Sequence, residues 1–297
     1  MKTFTLSIVI ITRNRTAELA ACLQFLRRQS TPPLEIIVVD NGSEDTTILM
    51  LQTQYPEVIL VPSATNLGVS GGRNLGYQSA CGDICVTIDD DALLIDNHAL
   101  ANIANYFNTM PNLGCLSFEV RDAEGAVIRH YIPRRDRRQI STDTQGASFV
   151  GTGHAIHREL FLSLGGFWED LHPYFGEEPD LSYRIIEAGY TILHTTRIAV
   201  THVESAVERP ADRRIYCGTR NTPWIALKSL PWYSVFSLTL LAWGYYFVQA
   251  VQYGVLKSYV RGIRDCIIGI PRVLKQRRCV SASTIATLRR YSGVYIY

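Results

Sequence analysis

The sequence predicts an α/β protein with a mixed, mainly parallel sheet and a helical C-terminal extension. Three observations carry this. Short β-branched runs alternate with helically spaced apolar residues through the first hundred positions, the rhythm of strand-helix-strand crossovers. The runs end in polar clusters, Thr12 to Arg15, Asp40 to Ser43 and Asp89 to Asp91, which a parallel sheet gathers at one edge. Finally, Ser229 to Leu256 carries no charged residue and is rich in aromatics.

Taken in order, Leu6 to Ile11 reads as the first strand, followed by a helix with Leu19, Cys22, Leu23 and Leu26 on one face and stopped by Pro32 and Pro33. Leu34 to Val39 is a second strand, ending in a turn with a helix N-cap within Asp40-Asn41-Gly42-Ser43 before the apolar Ile48 to Leu51. Val58 to Val61 is a third. A glycine-rich loop from Asn66 to Gly76 runs into a helix, and the buried strand Ile84 to Ile88 ends at three aspartates. Beyond it come a helix from about Asn97 to Thr109, a strand at Cys115 to Phe118 and a hairpin turn at Asp122 to Gly125.

With 47% hydrophobic residues the chain can bury a sizeable core, and a net charge of +2 argues against a dedicated nucleic-acid binder. Seven widely spaced cysteines without zinc spacing read as reduced, mostly buried thiols of a cytosolic protein. The apolar start at Phe4 to Ile11 is too short, and too soon followed by Arg13 and Arg15, for a signal peptide.

Chemistry concentrates in two clusters. In the first, side chains alternate along an extended chain, so Asp89 and Asp91 are expected on one side and Asp90 on the other. Two parallel carboxylates at a strand end suit a divalent cation, Mn2+ or Mg2+, that also grips phosphate oxygens; the bland alternative is a solvated acidic turn. Thr12, Arg13, Asn14, Asp40, Asn66, Gly72, Arg73, Asp89 and Asp90 are the candidates for a nucleotide crevice. Asp40 reads equally as a helix cap and Arg73 as a surface cation. The glycine spacing is not a dinucleotide fingerprint, which disfavours a nicotinamide enzyme.

The second cluster runs Gly151-Thr152-Gly153, Leu164 to Trp168, then Tyr174 to Arg184, and closes on Val200-Thr201-His202. Pro179 suggests the first position of a helix running to about Gly189, which makes Glu178 its non-helical cap, held ionised by the helix dipole as a general base requires. Asp180 and Arg184 are spaced as a structural ion pair. His202, ending the apolar strand Ile198 to Val203, is either structural or a metal ligand. Arg129, Arg134, Arg135, Arg137 and Arg138 form a basic loop, read as solvated or as a lid over phosphate groups.

The ordered set I-V-I-I-T-R-N-R, V-V-D-N-G-S-E-D, N-L-G-V-S-G-G-R-N-L-G, I-D-D-D, G-G-F, E-E-P-D-L-S-Y-R and T-H resembles the family 2 glycosyltransferases of the GT-A fold, particularly bacterial rhamnosyl and other cell-surface polysaccharide transferases, over about residues 5 to 222. The resemblance implies a Rossmann-like catalytic domain over 1–222, its nucleotide-sugar half to about 118 and its acceptor half over 119–222. It also implies that Asp40 binds the base, Asp89 and Asp91 form the Asp-x-Asp pair with Asp91 on the metal, His202 helps to hold the ion, and Glu178 is the catalytic base. The expected reaction moves a sugar, with inversion, from a UDP- or dTDP-linked donor to a glycan or lipid-linked acceptor. Two departures stand out. Glu177-Glu178 replaces the common Glu-Asp, and Trp168 intervenes where an acid usually follows Gly-Gly-Phe, leaving its flat face to meet a sugar ring. The competing readings are a sugar-1-phosphate nucleotidyltransferase and a catalytically dead nucleotide-sugar-binding scaffold.

In the extension, 223–297, the apolar stretch Val235 to Val248 falls short of a membrane span. Aromatics with polar tips and the cations from Lys257 to Arg278 favour helices lying on the anionic cytoplasmic face of the membrane, against a covering layer or a homo-oligomer interface.

Overall fold

The computed structural model describes residues 4–133, 141–202 and 210–292. Four parallel strands open the fold: β1 (Leu6–Thr12), β2 (Glu35–Asp40), β3 (Ile59–Pro62) and β4 (Ile84–Ile88), joined by α1 (Thr16–Leu26), α2 (Thr47–Gln54) and α3 (Gly68–Ser79). Then follow β5 (Ala92–Leu93), α4 (Ala99–Thr109), β6 (Leu113–Arg121), β7 (Thr144–Gln145), β8 (Gly153–His157), α5 (Arg158–Ser163), α6 (Glu177–Glu187) and β9 (Thr191–His202). Among the described residues one sheet runs β3-β2-β1-β4-β8-β6-β9-β5, with β7 on β9. β8 enters antiparallel between β4 and β6, and β6 and β9 are parallel, so the sheet is mixed as expected.

Alternation along β1 sorts the core. Leu6, Ile8 and Ile10 join the cluster holding Leu19, Leu23, Leu100 and Phe107 on one face, while Val9 joins Tyr77, Phe161, Phe167, Leu181 and Ile185 on the other. Helices cover both faces, which lets the central strands be apolar throughout.

Several local expectations change. The glycine-rich segment is helix rather than loop from Gly68 onward, because Gly72 and Gly76 let α3 press onto the sheet: a Cβ on Gly76 would collide with Val9. The cap foreseen at Asp40 to Ser43 is displaced. α2 begins at Thr47, whose N–H donates to Asp45 Oδ1 (3.0 Å), and Asp40 Oδ2 instead accepts from Ser43 N within its own turn (3.1 Å). β9 is one strand of twelve residues, irregular where Phe118 and Glu119 pair with Thr195 and Ala199. The hairpin at Asp122 forms, with Gly125 at φ +85° and Ala126 N donating to Asp122 Oδ1. Arg129 is exposed; Arg134, Arg135, Arg137 and Arg138 lie outside the described residues, as does Val203.

Four helices follow: α7 (Ala211–Ser229), α8 (Trp232–Gln252), α9 (Leu256–Lys275) and α10 (Ala282–Ser292). The 222/223 line falls inside α7, which runs through Pro223 without a break. α8 spans 21 residues and is long and apolar enough to cross a membrane, longer than the stretch read from the sequence because uncharged Trp232, Tyr233 and Gln252 continue the helix. All seven cysteines are free; Cys81 and Cys279 are exposed and the other five buried.

Candidate active site

A cleft of about 630 Å³ opens over the carboxyl ends of β1 and β4. Its walls include Thr12, Arg13, Asn66, Arg73, Asp89, Asp90 and Asp91 from the first half of the chain, and Gly151, Thr152, Glu177 and Glu178 from the second. The three aspartates are not extended. β4 ends at Ile88, and Ala92 N donates to Asp89 O (3.0 Å), so Asp89 to Ala92 is a turn. Asp89 and Asp91 still converge, but through this turn rather than by strand alternation. Asp90 is taken up by the Thr12 hydroxyl (2.8 Å) and by Arg15 (3.1 Å), which also bonds Asp91.

Topology delivers the imidazole. β5 and β9 pair antiparallel with Ala92 opposite His202, and His202 Nε2 lies 3.2 Å from Asp91 Oδ1. Ligand atoms of Asp89, Asp91 and His202 lie within 4.8 Å of one another. Two carboxylates and an imidazole so placed fit a Mn2+- or Mg2+-type ion with coordination left for phosphate oxygens and water.

Arg73 joins the two clusters. Its side chain is 3% exposed; one Nη donates to Asp89 (2.9 Å) and to Gly151 O (2.9 Å), and the other lies 3.9 Å from both Glu177 and Glu178. It is therefore a buried hub of the acidic groups, not a surface cation. Gly151 belongs to the same arrangement, since a Cβ there would clash with Glu178 Oε1.

Glu178 is not a cap. α6 starts at Glu177 behind Gly176, whose φ of +95° turns the chain, so Glu178 and Pro179 both lie in the first turn. Proline is accommodated because first-turn N–H groups have no intrahelical acceptor. Glu177, Glu178 and Asp180 crowd that turn, where the helix dipole favours negative charge.

Burial pushes Asp90 up to about 7, against the pull of Arg15 and Thr12. Burial also opposes the charged form of Asp91, but His202 and then Arg15 outweigh it and hold that carboxyl below its usual range. Burial works against the guanidinium of Arg73; Asp89, Glu178 and Glu177 more than compensate.

Other foreseen residues stand behind the cleft wall. Asp40 is 1% exposed, and its Oδ1 has no hydrogen-bond partner among the described residues. Asn14, at φ +54°, ties the β1 loop to Ser43 N-terminally of α2, accepting from Glu44 N (2.7 Å). Gly72 faces Asn41 and Ile11. Trp168 offers no face to a ligand: it is 8% exposed, packed on Trp224 and covered by Lys228 Nζ 4.2 Å from its ring. Asp180 and Arg184 are the expected ion pair (2.5 Å), with Lys228 of α7 as a third member at 2.6 Å. Arg15 was not singled out from sequence; a cation just past β1, in a sheet whose next strand over ends in three acids, was the available signal.

The family model for glycosyl transferase family 2 matches residues 7–165. The O-antigen chain rhamnosyltransferase RfbN of Salmonella typhimurium is 23% identical over 74% of this chain and 74% of that protein. The N-acetylglucosaminyl-diphospho-decaprenol L-rhamnosyltransferase of Mycobacterium tuberculosis is 24% identical over 66% of this chain and 75% of its own. Among solved structures, the mannosyltransferase PcManGT of Pyrobaculum calidifontis, in complex with GDP-Man and Mn2+, superposes on 100% of this chain and 82% of that one, with a TM-score of 0.61 at 18% identity, a likeness in fold. With more than half of its length matched by the family model, and with an α/β sheet of the GT-A kind beneath the cleft, the chain belongs to glycosyl transferase family 2 and is a glycosyltransferase.

Proposed function

We propose that the enzyme transfers a sugar, with inversion, from a nucleotide diphosphate donor, UDP- or dTDP-linked, to a hydroxyl of a glycan or lipid-linked acceptor in cell-surface polysaccharide synthesis. Asp89, Asp91 and His202 would hold Mn2+ or Mg2+, which when bound supplies positive charge to the leaving diphosphate. Asp40, buried with one oxygen unpartnered among the described residues, would take the nucleotide base, and Thr12, Arg13, Asn66 and Arg73 would line the donor site. Glu178 would remove the proton from the acceptor hydroxyl as it attacks the anomeric carbon from the far side, a single displacement that needs one base and no protein nucleophile.

One observation carries this reading: Arg73 brings Asp89 and Glu178, 89 positions apart in the chain, to the two ends of one guanidinium on one cleft wall. The names of the two rhamnosyltransferases support a deoxyhexose donor and a surface-polysaccharide or lipid-linked acceptor; the GDP-Man and Mn2+ complex supports the metal. The catalytic unit is taken as 1–222, donor side to about 118, with the extension from 223 bringing the reaction to the cytoplasmic face of the cell membrane. The test is a panel of nucleotide sugars scored for thermal stabilisation with Mn2+ and with chelator. A UDP- or dTDP-sugar should raise the melting temperature only when the ion is present, and the transferred sugar should have inverted anomeric configuration by NMR. Equal stabilisation in chelator, or a retained anomer, contradicts the proposal.

A further inference from the structure

The C-terminal helices leave a large apolar surface outward. On α8 the inner stripe Ser234, Leu238, Ala242, Tyr246 and Ala250, one residue every four, is buried. Trp232, Phe236, Leu240, Leu241, Tyr245 and Val248 point away from the protein, each at least half exposed. On α9 the exposed Leu256, Val260, Ile267 and Leu274 share one face by spacing, and Lys257, Arg261, Arg264 and Lys275 form the adjoining sector. From Ser229 to Ser292 the sequence holds nine Lys and Arg against Asp265 as the one acid, although the whole chain is only +2. The rest of the molecule is therefore net acidic; Lys257, Arg261, Arg264 and Lys275 set positive charge beside the apolar face, the two arginines sharing Asp265, whereas Arg272 turns to Asp170 and Arg277 to carbonyls of Leu227 and Leu230.

Although α8 is roughly 31 Å long, enough to span a bilayer, its neighbours hold it to the protein. Trp243 Nε1 donates to Thr219 O of α7 (3.1 Å), Trp224 Nε1 to Cys266 O of α9 (2.9 Å), and the chain after α9 returns to α7 through Arg278 N to Lys228 O (2.8 Å). A crossing α8 would require α9 to cross back, and its charged sector makes that costly.

We infer that the outer faces of α8 and α9 dock the enzyme on an anionic membrane, lying in the headgroup plane without crossing it. The inference rests on the membrane placement proposed above and adds its surface and mode. Apolar side chains enter the acyl boundary, and the adjoining cations meet lipid phosphates.

The test is co-sedimentation of the full chain with vesicles of phosphatidylcholine, alone or with about 30% phosphatidylglycerol. Binding should be at least about tenfold stronger to the anionic vesicles, fall about tenfold between 50 and 500 mM NaCl, and be released by alkaline carbonate. Phe236→Asp with Leu240→Asp should abolish it, and Arg261→Gln with Arg264→Gln should weaken it; all four sites are exposed, and melting curves check folding. Equal binding to neutral vesicles, resistance to carbonate, or no vesicle binding overturns the inference, as does a dimer that the aspartate pair dissolves in a protein that ignores vesicles. Metal-dependent nucleotide binding, measured on the same samples without lipid, separates failure of this surface from failure of the catalytic reading.

Discussion

At Gly151 a hydrogen fits where a methyl would not, because the added carbon would clash with Glu178 Oε1. Gly151→Ala should therefore displace the proposed base while costing little stability, since only the end of a flexible side chain has to move; turnover should fall about tenfold or more with the melting temperature nearly unchanged. Glu178→Gln keeps the shape and removes the proposed proton acceptor. It should lower transfer by a factor of about 10²–10⁴, checked by product formation at saturating donor and acceptor. His194, 3% exposed, is lowered by burial to about 4. Because the unfolded chain binds this proton at higher pH than the folded one, folding stability is lost as pH falls from about 6.5 to about 4, by up to about 3 kcal/mol. Urea unfolding at pH 7 and pH 4.5 should show the loss in the wild type and less of it in His194→Asn. Residue types at the site were legible from the chain because carboxylates, histidine and glycine have few structural reasons to cluster at strand ends. Arg15 was not, since its partners lie 75 and 76 positions away, and Trp168 looked available only because sequence does not reveal Lys228 and Trp224 closing over it.

Elements with long apolar runs were readable nearly in place: β4 and α1 bury the residues the sequence marked out, β1 does so apart from a half-buried Ile11, and β2 runs one residue later than expected, leaving Leu34 exposed. Those that shape the site were less so. β5 has two residues and β7 two, too short for any period, and β8 contains two histidines. Even so, β5 against β9 is what carries His202 to Asp91. The helix after the glycine-rich loop was expected, but its start at Gly68 was hidden by glycines that usually signal loop. There they serve contact, and Gly76→Ala should push α3 off Val9 and Val39 at a cost of about 1–3 kcal/mol, measurable by chemical denaturation. A variant as stable as the wild type would mean that α3 need not sit so close.

For the molecule as a whole, α7 is the joint. Lys228 bonds Asp180, fully buried on the helix that also carries Glu178, and Asn221 of α7 donates to Leu171 O, Tyr174 O and Phe175 O in the loop leading into that helix. The C-terminal helices thus support the Glu178 side of the cleft as well as presenting the outer apolar face. Lys228→Met should cost about 2 kcal/mol, less than an unpaired buried carboxylate because Arg184 remains on Asp180. The most direct test of the account is calorimetric titration of UDP and dTDP, with and without Mn2+, into the wild type, Asp91→Asn and Glu178→Gln. One nucleotide should bind the wild type and Glu178→Gln with similar, Mn2+-dependent affinity and bind Asp91→Asn at least tenfold more weakly. Binding indifferent to Mn2+, or equal in all three proteins, would contradict it.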